Sequence, residues 1–104
     1  MSNQYDEIFT DGAFLAQLQV GIGEVASITG IPQRQIRYWE SKGVIEALPE
    51  VDSKTRRYDY IQIKKMLLIK DLMDDGYSLD GAEKKVSERM EALSKVFAQL
   101  KQKN

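Results

Sequence analysis

The chain has 104 residues, with 15 Lys and Arg against 16 Asp and Glu, one Trp, and neither His nor Cys. Without His and Cys it lacks imidazole acid–base catalysis, thiol nucleophiles and the usual zinc or copper ligand sets, so we expect neither an enzyme nor a bound cofactor. A domain of this size buries a thin core and has no disulfide to compensate, so we expect it to self-associate.

The net charge of −1 is unevenly distributed along the chain. Residues 1–24 carry a net charge of −4, residues 25–70 carry +4, and residues 71–104 carry −1. A basic middle segment is compatible with a polyanionic partner, which the overall charge conceals. Because the chain has no signal-peptide pattern and no apolar run long enough to cross a bilayer, we expect a cytoplasmic protein without a membrane partner.

A helix-turn-helix is predicted in the first part of the basic segment. The string GEVASITGIP contains an apolar patch, then Gly30 as a stop and Pro32 as a restart, which predicts two short helices joined by a tight turn. The second helix is predicted over Pro32–Lys42, with Gly43 in the position that ends it. Its apolar members, Ile36 and Trp39, are predicted to be core residues.

A small hairpin is predicted after these helices. The string VIEALPEVDSKTRRYDY has no helical period, and its apolar residues flank Pro49 and a polar tip. This pattern favours two short strands, one around Val44 to Leu48 and one at the RRY triplet. A hairpin that follows a helix-turn-helix is a wing.

Two further helices are predicted in the last third of the chain. One begins near Tyr60 and ends at Gly76, and Ser78 is placed to cap the next. In that last helix apolar residues recur three or four positions apart, at Leu79, Ala82, Val86, Met90, Leu93, Phe97 and Leu100. Such a stripe predicts a dimer seam, and docking onto the chain's own core is an equally open alternative.

The second helix of a helix-turn-helix can enter the major groove of DNA. There Gln bonds adenine, Arg bonds guanine, and an Arg or a Tyr hydroxyl anchors a phosphate. The candidates on this helix are Gln33, Arg34, Gln35, Arg37 and Tyr38. The alternative is a basic helix face that is merely solvated.

A second group of candidates lies at the predicted wing, where it would follow the phosphates or place an Arg in the minor groove. Its members are Lys54, Arg56, Arg57 and Tyr58. For Tyr58, packing between the hairpin and the following helix is at least as good an interpretation as a phosphate contact.

The strings IGEVASITGIPQRQIRYWESKGVI and TRRYDYIQIKKMLLIKDLMDDGYSLDGAEKKV resemble the DNA-binding domain of the mercury-resistance-regulator (MerR) family. The most specific part is RQIRYWE, which is similar to the family's TIRYYE signature, together with RRY and GYSL. The resemblance implies a mainly α, winged helix-turn-helix fold with a small two-stranded wing. It further implies a homodimer that binds an inverted repeat in a bacterial promoter. By the same resemblance Arg37 and Tyr38 match phosphate contacts, Arg56 matches the wing arginine, and Gln33 and Arg34 match positions near the bases.

The acidic extension and the short C-terminal helix are similar to the nitrogen-regulator branch of this family, in which an N-terminal helix helps to form the dimer. Residues 1–20 are then an extension with a dimerisation helix, 21–77 the winged DNA-binding region and 78–104 a helical dimerisation region. The candidate dimer contacts are Ile8, Phe9, Phe14, Leu15, Met90, Leu93, Phe97 and Leu100. No metal site is implied, because the cysteines and effector domain of many members are missing.

The leading hypothesis is a sequence-specific DNA-binding transcriptional regulator that acts as a homodimer and has no enzymatic activity. Its expected partners are double-stranded DNA and a second copy of the chain, with RNA polymerase or a regulatory protein as a further candidate. Two alternatives remain open. One is an architectural or excisionase-like factor that bends DNA, and the other is a helical protein-interaction module.

Overall fold

The computed structural model describes residues 17–49 and 56–102, with the side chains of 93, 94 and 96–102 left out. The chain divides into two compact units between Met66 and Leu67. In chain order the elements are β1 (Gln19–Gly21), α1 (Ile22–Thr29), α2 (Gln33–Ser41), β2 (Arg57–Asp59), α3 (Tyr60–Asp74) and α4 (Leu79–Gln102). The predicted mainly α fold with a small two-stranded sheet is confirmed. The predicted N-terminal extension, residues 1–20 with its dimerisation helix, lies mostly outside the described residues.

The helix-turn-helix forms where the sequence predicts it. Helix α1 ends at Gly30, whose φ of 76° lies in the left-handed region and whose N–H donates a 2.9 Å hydrogen bond to the Ala26 carbonyl. Glycine reaches this conformation without the clash that a β-carbon would suffer. Pro32 then precedes α2 as its N-cap residue, and the observed helix is one residue shorter at each end than predicted.

The C-terminus of α2 directs the following segment into the core. The Gly43 N–H bonds the Glu40 carbonyl at 3.0 Å, and the Val44 N–H bonds the Trp39 carbonyl at 2.9 Å. This pair of bonds is a Schellman motif, which satisfies two carbonyls at the helix end. Val44 and Ile45 are buried directly after it.

The sheet differs from the predicted hairpin in one of its strands. Strand β2 lies at the predicted RRY triplet, but it pairs antiparallel with β1, so that Val20 is opposite Tyr58. Residues 44–48 form no strand; the Leu48 N–H donates a 2.8 Å bond to the Arg57 carbonyl. The prediction of a strand there was wrong because a short apolar run fits a strand and a buried irregular segment equally well.

The core of the first unit is built around the largest aromatic side chain. Trp39 is 1% exposed, which confirms its predicted place in the core. Its buried apolar companions are Ile22, Val25, Ile31, Ile36, Val44, Ile45, Tyr58 and Met66. Throughout the described part of the chain, every buried side-chain nitrogen or oxygen has a hydrogen-bond partner.

Helices α3 and α4 begin with the side-chain caps that their sequences provide. The Asp59 Oδ1 accepts a 2.9 Å bond from the Gln62 N–H at the start of α3. Ser78 Oγ accepts a 3.1 Å bond from the Gly81 N–H at the start of α4, as predicted.

The apolar stripe of α4 is described only in its first part. Ala82 and Val86 are buried, which for these two positions agrees with the alternative of a contribution to the chain's own core. Met90 is partly exposed. The side chains of Leu93, Phe97 and Leu100 lie outside the described residues, as do Ile8, Phe9, Phe14 and Leu15, so the dimer contacts stay a prediction.

Candidate nucleic-acid interface

Helix α2 presents one face to the core and one to solvent. Ile36 and Trp39 are buried, whereas the side chains three or four positions apart on the other face are exposed. This exposed face consists of Gln33, Arg34, Arg37 and Tyr38, the last with 53% of its surface accessible. Four of the five candidates on α2 therefore share a face, and Gln35 is half-buried at its flank.

The start of α2 lies close to the start of α1. A β-carbon built on Gly23 would stand 3.6 Å from Gln33 Nε2, so the Gln33 amide lies beside the first turn of α1. This distance is an ordinary van der Waals contact, so the amide and a small side chain at position 23 could coexist. The first turn of α1 thus borders the exposed face of α2.

Three side chains connect the end of α2 to the start of β2, and we call them the Glu40 cluster: Glu40, Arg56 and Tyr58. Arg56 Nη1 lies 3.0 Å from Glu40 Oε2, and the Tyr58 hydroxyl donates a 2.7 Å hydrogen bond to Glu40 Oε1. Both carboxylate oxygens of Glu40 are therefore engaged. The side chains of Glu40 and Arg56 are 19% and 40% exposed, whereas Tyr58 is 0% exposed.

Tyr58 is buried, which leaves no surface for a phosphate contact, and its hydroxyl bonds Glu40 of α2 rather than the helix that follows the strand. Burial, and then the hydrogen bond to Glu40, raise the pKa of Tyr58 well above its ordinary value of 10.0. The phenol is therefore a neutral donor at physiological pH. Because Tyr58 has no exposed surface, its hydroxyl donates a hydrogen bond within the Glu40 cluster and cannot contact an approaching ligand.

We keep the name wing for the segment between α2 and α3, although residues 44–48 form no strand, and its two described arginines point to opposite sides. Successive side chains of a strand alternate between faces, so Arg56 and Tyr58 share the side of Glu40 while Arg57 lies on the other. The ladder extends to Arg56, because the Ile22 N–H donates a 2.9 Å bond to its carbonyl. Arg57 is exposed and stands opposite Gly21 across the sheet. The fourth wing candidate, Lys54, lies outside the described residues.

Hydrogen bonds attach the residues that precede the segment 50–55 to β2 and to α3. The Leu48 N–H bonds the Arg57 carbonyl, and the Glu46 N–H donates a 2.9 Å bond to Gln62 Oε1 at the start of α3. Leu48 is thus attached to β2, and Glu46 is attached to α3.

Glu40 contacts two of the candidate residues, and the sequence pattern did not indicate it. A signal for it exists, since Arg and Tyr two positions apart in a strand share a face, and a buried tyrosine hydroxyl needs an acceptor. Which acceptor is used depends on how α2 packs against β2, which the sequence pattern does not show.

Comparison with known proteins bears on the same region. The family described as "MerR HTH family regulatory protein" matches residues 21–89, about two thirds of the chain. The chain is also similar to the HTH-type transcriptional regulator TnrA of Bacillus subtilis (strain 168), with 31% identity over 67 residues. That alignment covers 64% of this chain and 59% of the relative, so the chain spans about three fifths of the relative's length. Among the described helices, none combines the length and apolarity needed to cross a membrane.

Proposed function

This chain belongs to the MerR family of helix-turn-helix regulatory proteins, and we propose that it binds double-stranded DNA and regulates transcription. The observation that carries the proposal is the exposed face of α2, which combines two arginines, a glutamine and a tyrosine while Ile36 and Trp39 anchor the opposite side. A helix held in this way can enter the major groove with its functional side chains outward.

Each side chain of the exposed face has a proposed role. Gln33 and Arg34, in the first turn of α2, reach toward base edges, and Gln35 assists from the flank. Arg37 and Tyr38, one turn later, bind phosphate oxygens. No enzymatic step is part of the proposal.

The assembly that we propose is a homodimer in the bacterial cytoplasm on an inverted-repeat promoter site. Two acidic segments, residues 1–24 and 71–104, flank the basic region, which suits dimer elements that keep away from DNA. The proposed contacts are the apolar residues of the N-terminal extension (1–20) and of the C-terminal region (78–104) named above. The winged DNA-binding region between them is 21–77. RNA polymerase or a regulatory protein is a further partner under this proposal.

The test is selection of binding sites from random DNA, followed by affinity measurements on the selected site over a salt series. We expect a selected inverted repeat and a log–log salt slope of about −0.9 for each phosphate contact. Arg37→Ala should flatten that slope by about 0.9, whereas Lys84→Ala, an exposed lysine of α4, serves as the charge-matched control. Failure to select any sequence, together with salt-independent binding, would contradict the proposal.

A second measurement separates a regulator from a factor that only bends DNA. Transcription from the selected site should change when the protein is added to a purified system with RNA polymerase. Unchanged transcription with clear bending of the bound DNA would favour the architectural alternative.

A further inference from the structure

The Glu40 cluster joins the two elements that the proposed function brings to DNA. Glu40 lies in the last turn of α2, and Arg56 immediately precedes β2. The Glu40 carboxylate holds the Arg56 guanidinium with one oxygen and the Tyr58 hydroxyl with the other, at 3.0 and 2.7 Å. The recognition helix and the wing are therefore connected through side chains.

From this geometry we propose that Arg56 is a positioning residue that docks the wing onto α2 through Glu40, and that Arg57 is the wing arginine that contacts a DNA phosphate. The inference rests on the proposed DNA binding. It gives the two arginines different roles, whereas the family resemblance assigns the DNA contact of the wing to Arg56.

The energetics favour this division of roles. To bind a phosphate with its full guanidinium, Arg56 would have to release Glu40, whose carboxylate is only 19% exposed and would then face an approaching polyanion without its cation. A half-buried charge that loses its partner is costly. Arg57 has no such constraint from Glu40, because it lies on the opposite face of the strand and is exposed.

The two possible roles of Arg56 predict opposite effects when Glu40 loses its charge. Glu40→Gln preserves the size of the side chain and an acceptor for Tyr58, but it removes the ion pair with Arg56. A positioning role predicts weaker binding to the selected site, up to roughly fivefold near physiological salt, the loss expected when the Arg57 contact is no longer held in place. A phosphate-binding Arg56 that Glu40 restrains predicts tighter binding and a steeper salt dependence.

The control is Glu46→Gln, which removes the same charge from an exposed residue of the same unit outside the Glu40 cluster. It measures the general gain in affinity that the loss of any acidic charge near DNA produces. Binding by E40Q that is weaker than binding by E46Q supports the positioning role. Binding by E40Q that is equal to or tighter than that of E46Q overturns it.

Arginine variants complete the test. Arg57→Gln should flatten the salt slope by about 0.9, and an unchanged slope would overturn its assignment as the phosphate contact. Arg56→Gln should weaken binding, and E40Q/R56Q should bind no worse than the weaker single variant, because both changes break one connection. Additive losses would contradict a shared role. If R56Q does not fold, the comparison of E40Q with E46Q still decides the role of Arg56.

A readout without DNA keeps this inference separable from the proposed function. The amides of Ile22 and Leu48 bond the carbonyls of Arg56 and Arg57, so both should exchange with solvent faster in E40Q than in E46Q. The Ala82 amide, which bonds Ser78 in the second unit, should be unaffected. If the wild-type protein binds no DNA, the proposed function fails, and unchanged exchange at Ile22 and Leu48 would independently refute the docking role.

Discussion

The Thr29 hydroxyl accepts a 3.1 Å hydrogen bond from the Ile31 N–H in the turn between α1 and α2. The same hydroxyl donates a 2.7 Å bond to the Val25 carbonyl one helical turn earlier. Both Val25 and Ile31 are buried, so neither of these backbone groups has water as an alternative partner. One side chain thereby connects the end of α1 to the start of α2.

We expect Thr29→Val, which has nearly the same shape, to destabilise the protein by about 1 to 3 kcal/mol. The Ile31 N–H would stay buried without an acceptor, and the cost of an unsatisfied buried group has this size. Urea unfolding at fixed protein concentration measures the change. Ser27→Ala, at an exposed position of the same helix, is the control and should change stability by less than about 0.5 kcal/mol. Equal stabilities of the two variants would show that this hydroxyl does not secure the turn.

Two glycines of the helix-turn-helix should respond to alanine with opposite signs. Gly30→Ala places an alanine in a backbone conformation with a φ of 76°. No atom lies within 4 Å of its β-carbon, so the expected loss of stability is only the cost of the left-handed conformation, about 1 to 2 kcal/mol. Gly23→Ala, in helical backbone, meets Gln33 Nε2 at an ordinary 3.6 Å and should stabilise by up to about 1 kcal/mol. Thermal unfolding of both variants checks this, and a shift of the same sign in the two would contradict the conformational argument.

Arg34→Ala and Arg37→Ala should differ in how they affect DNA sequence preference. Under the proposed function, Arg37 binds a phosphate, so its loss weakens binding to every sequence alike. Arg34 reaches a base, so its loss costs about 1 to 3 kcal/mol on the selected site and little on scrambled DNA. Competition between selected and scrambled fragments measures the ratio. Equal loss on both kinds of DNA for R34A would exclude its base-reading role.

Tyr58→Phe tests the phenol of the Glu40 cluster through its pH dependence. We expect a loss of about 0.5 to 1.5 kcal/mol at neutral pH, because one hydrogen bond to Glu40 disappears. In the folded protein the pKa of Tyr58 is raised, so its contribution is complete below the ordinary value of 10.0 and falls as the pH rises above it, where the unfolded tyrosine ionises first.

The measurement is the free energy of unfolding of both proteins at about pH 8 and about pH 11. The advantage of the wild type over Y58F should be smaller at the higher pH. An advantage that grows above pH 10 would show that the folded state favours the ionised phenol, contrary to its burial.

The helices were predictable because their signals lie in consecutive residues. Gly30 and Pro32 mark the turn, Gly43 marks the end of α2, and Ser78 caps α4; each acts within one turn of its own position. The spacing of Ile36 and Trp39 likewise assigned the buried side of α2, and with it the exposed face of the candidate interface. These features need no knowledge of distant contacts.

Strand pairing was not predictable in this way. Strand β2 pairs with Gln19–Gly21, which precedes the helix-turn-helix in the sequence. The apolar segment that directly follows α2 is nearer in sequence, but it is buried as irregular chain. A three-residue strand carries little information about its partner, since many segments offer the same backbone groups. The nearer segment is not the strand partner because Val44 and Ile45 pack into the core, and this packing is visible only in the folded structure.

By itself, then, the sequence determined the order of the helices, the exposed basic face of α2 and the resemblance to a family of regulators. Tertiary structure alone decided which strand completes the sheet, that Tyr58 is buried, and that Arg56 meets Glu40 while Arg57 faces away. The physical reason is the separation in sequence over which the interactions act. Helix signals act between neighbours three or four positions apart, whereas Glu40 and Tyr58 are 18 residues apart and meet only because the folded core brings α2 and β2 together.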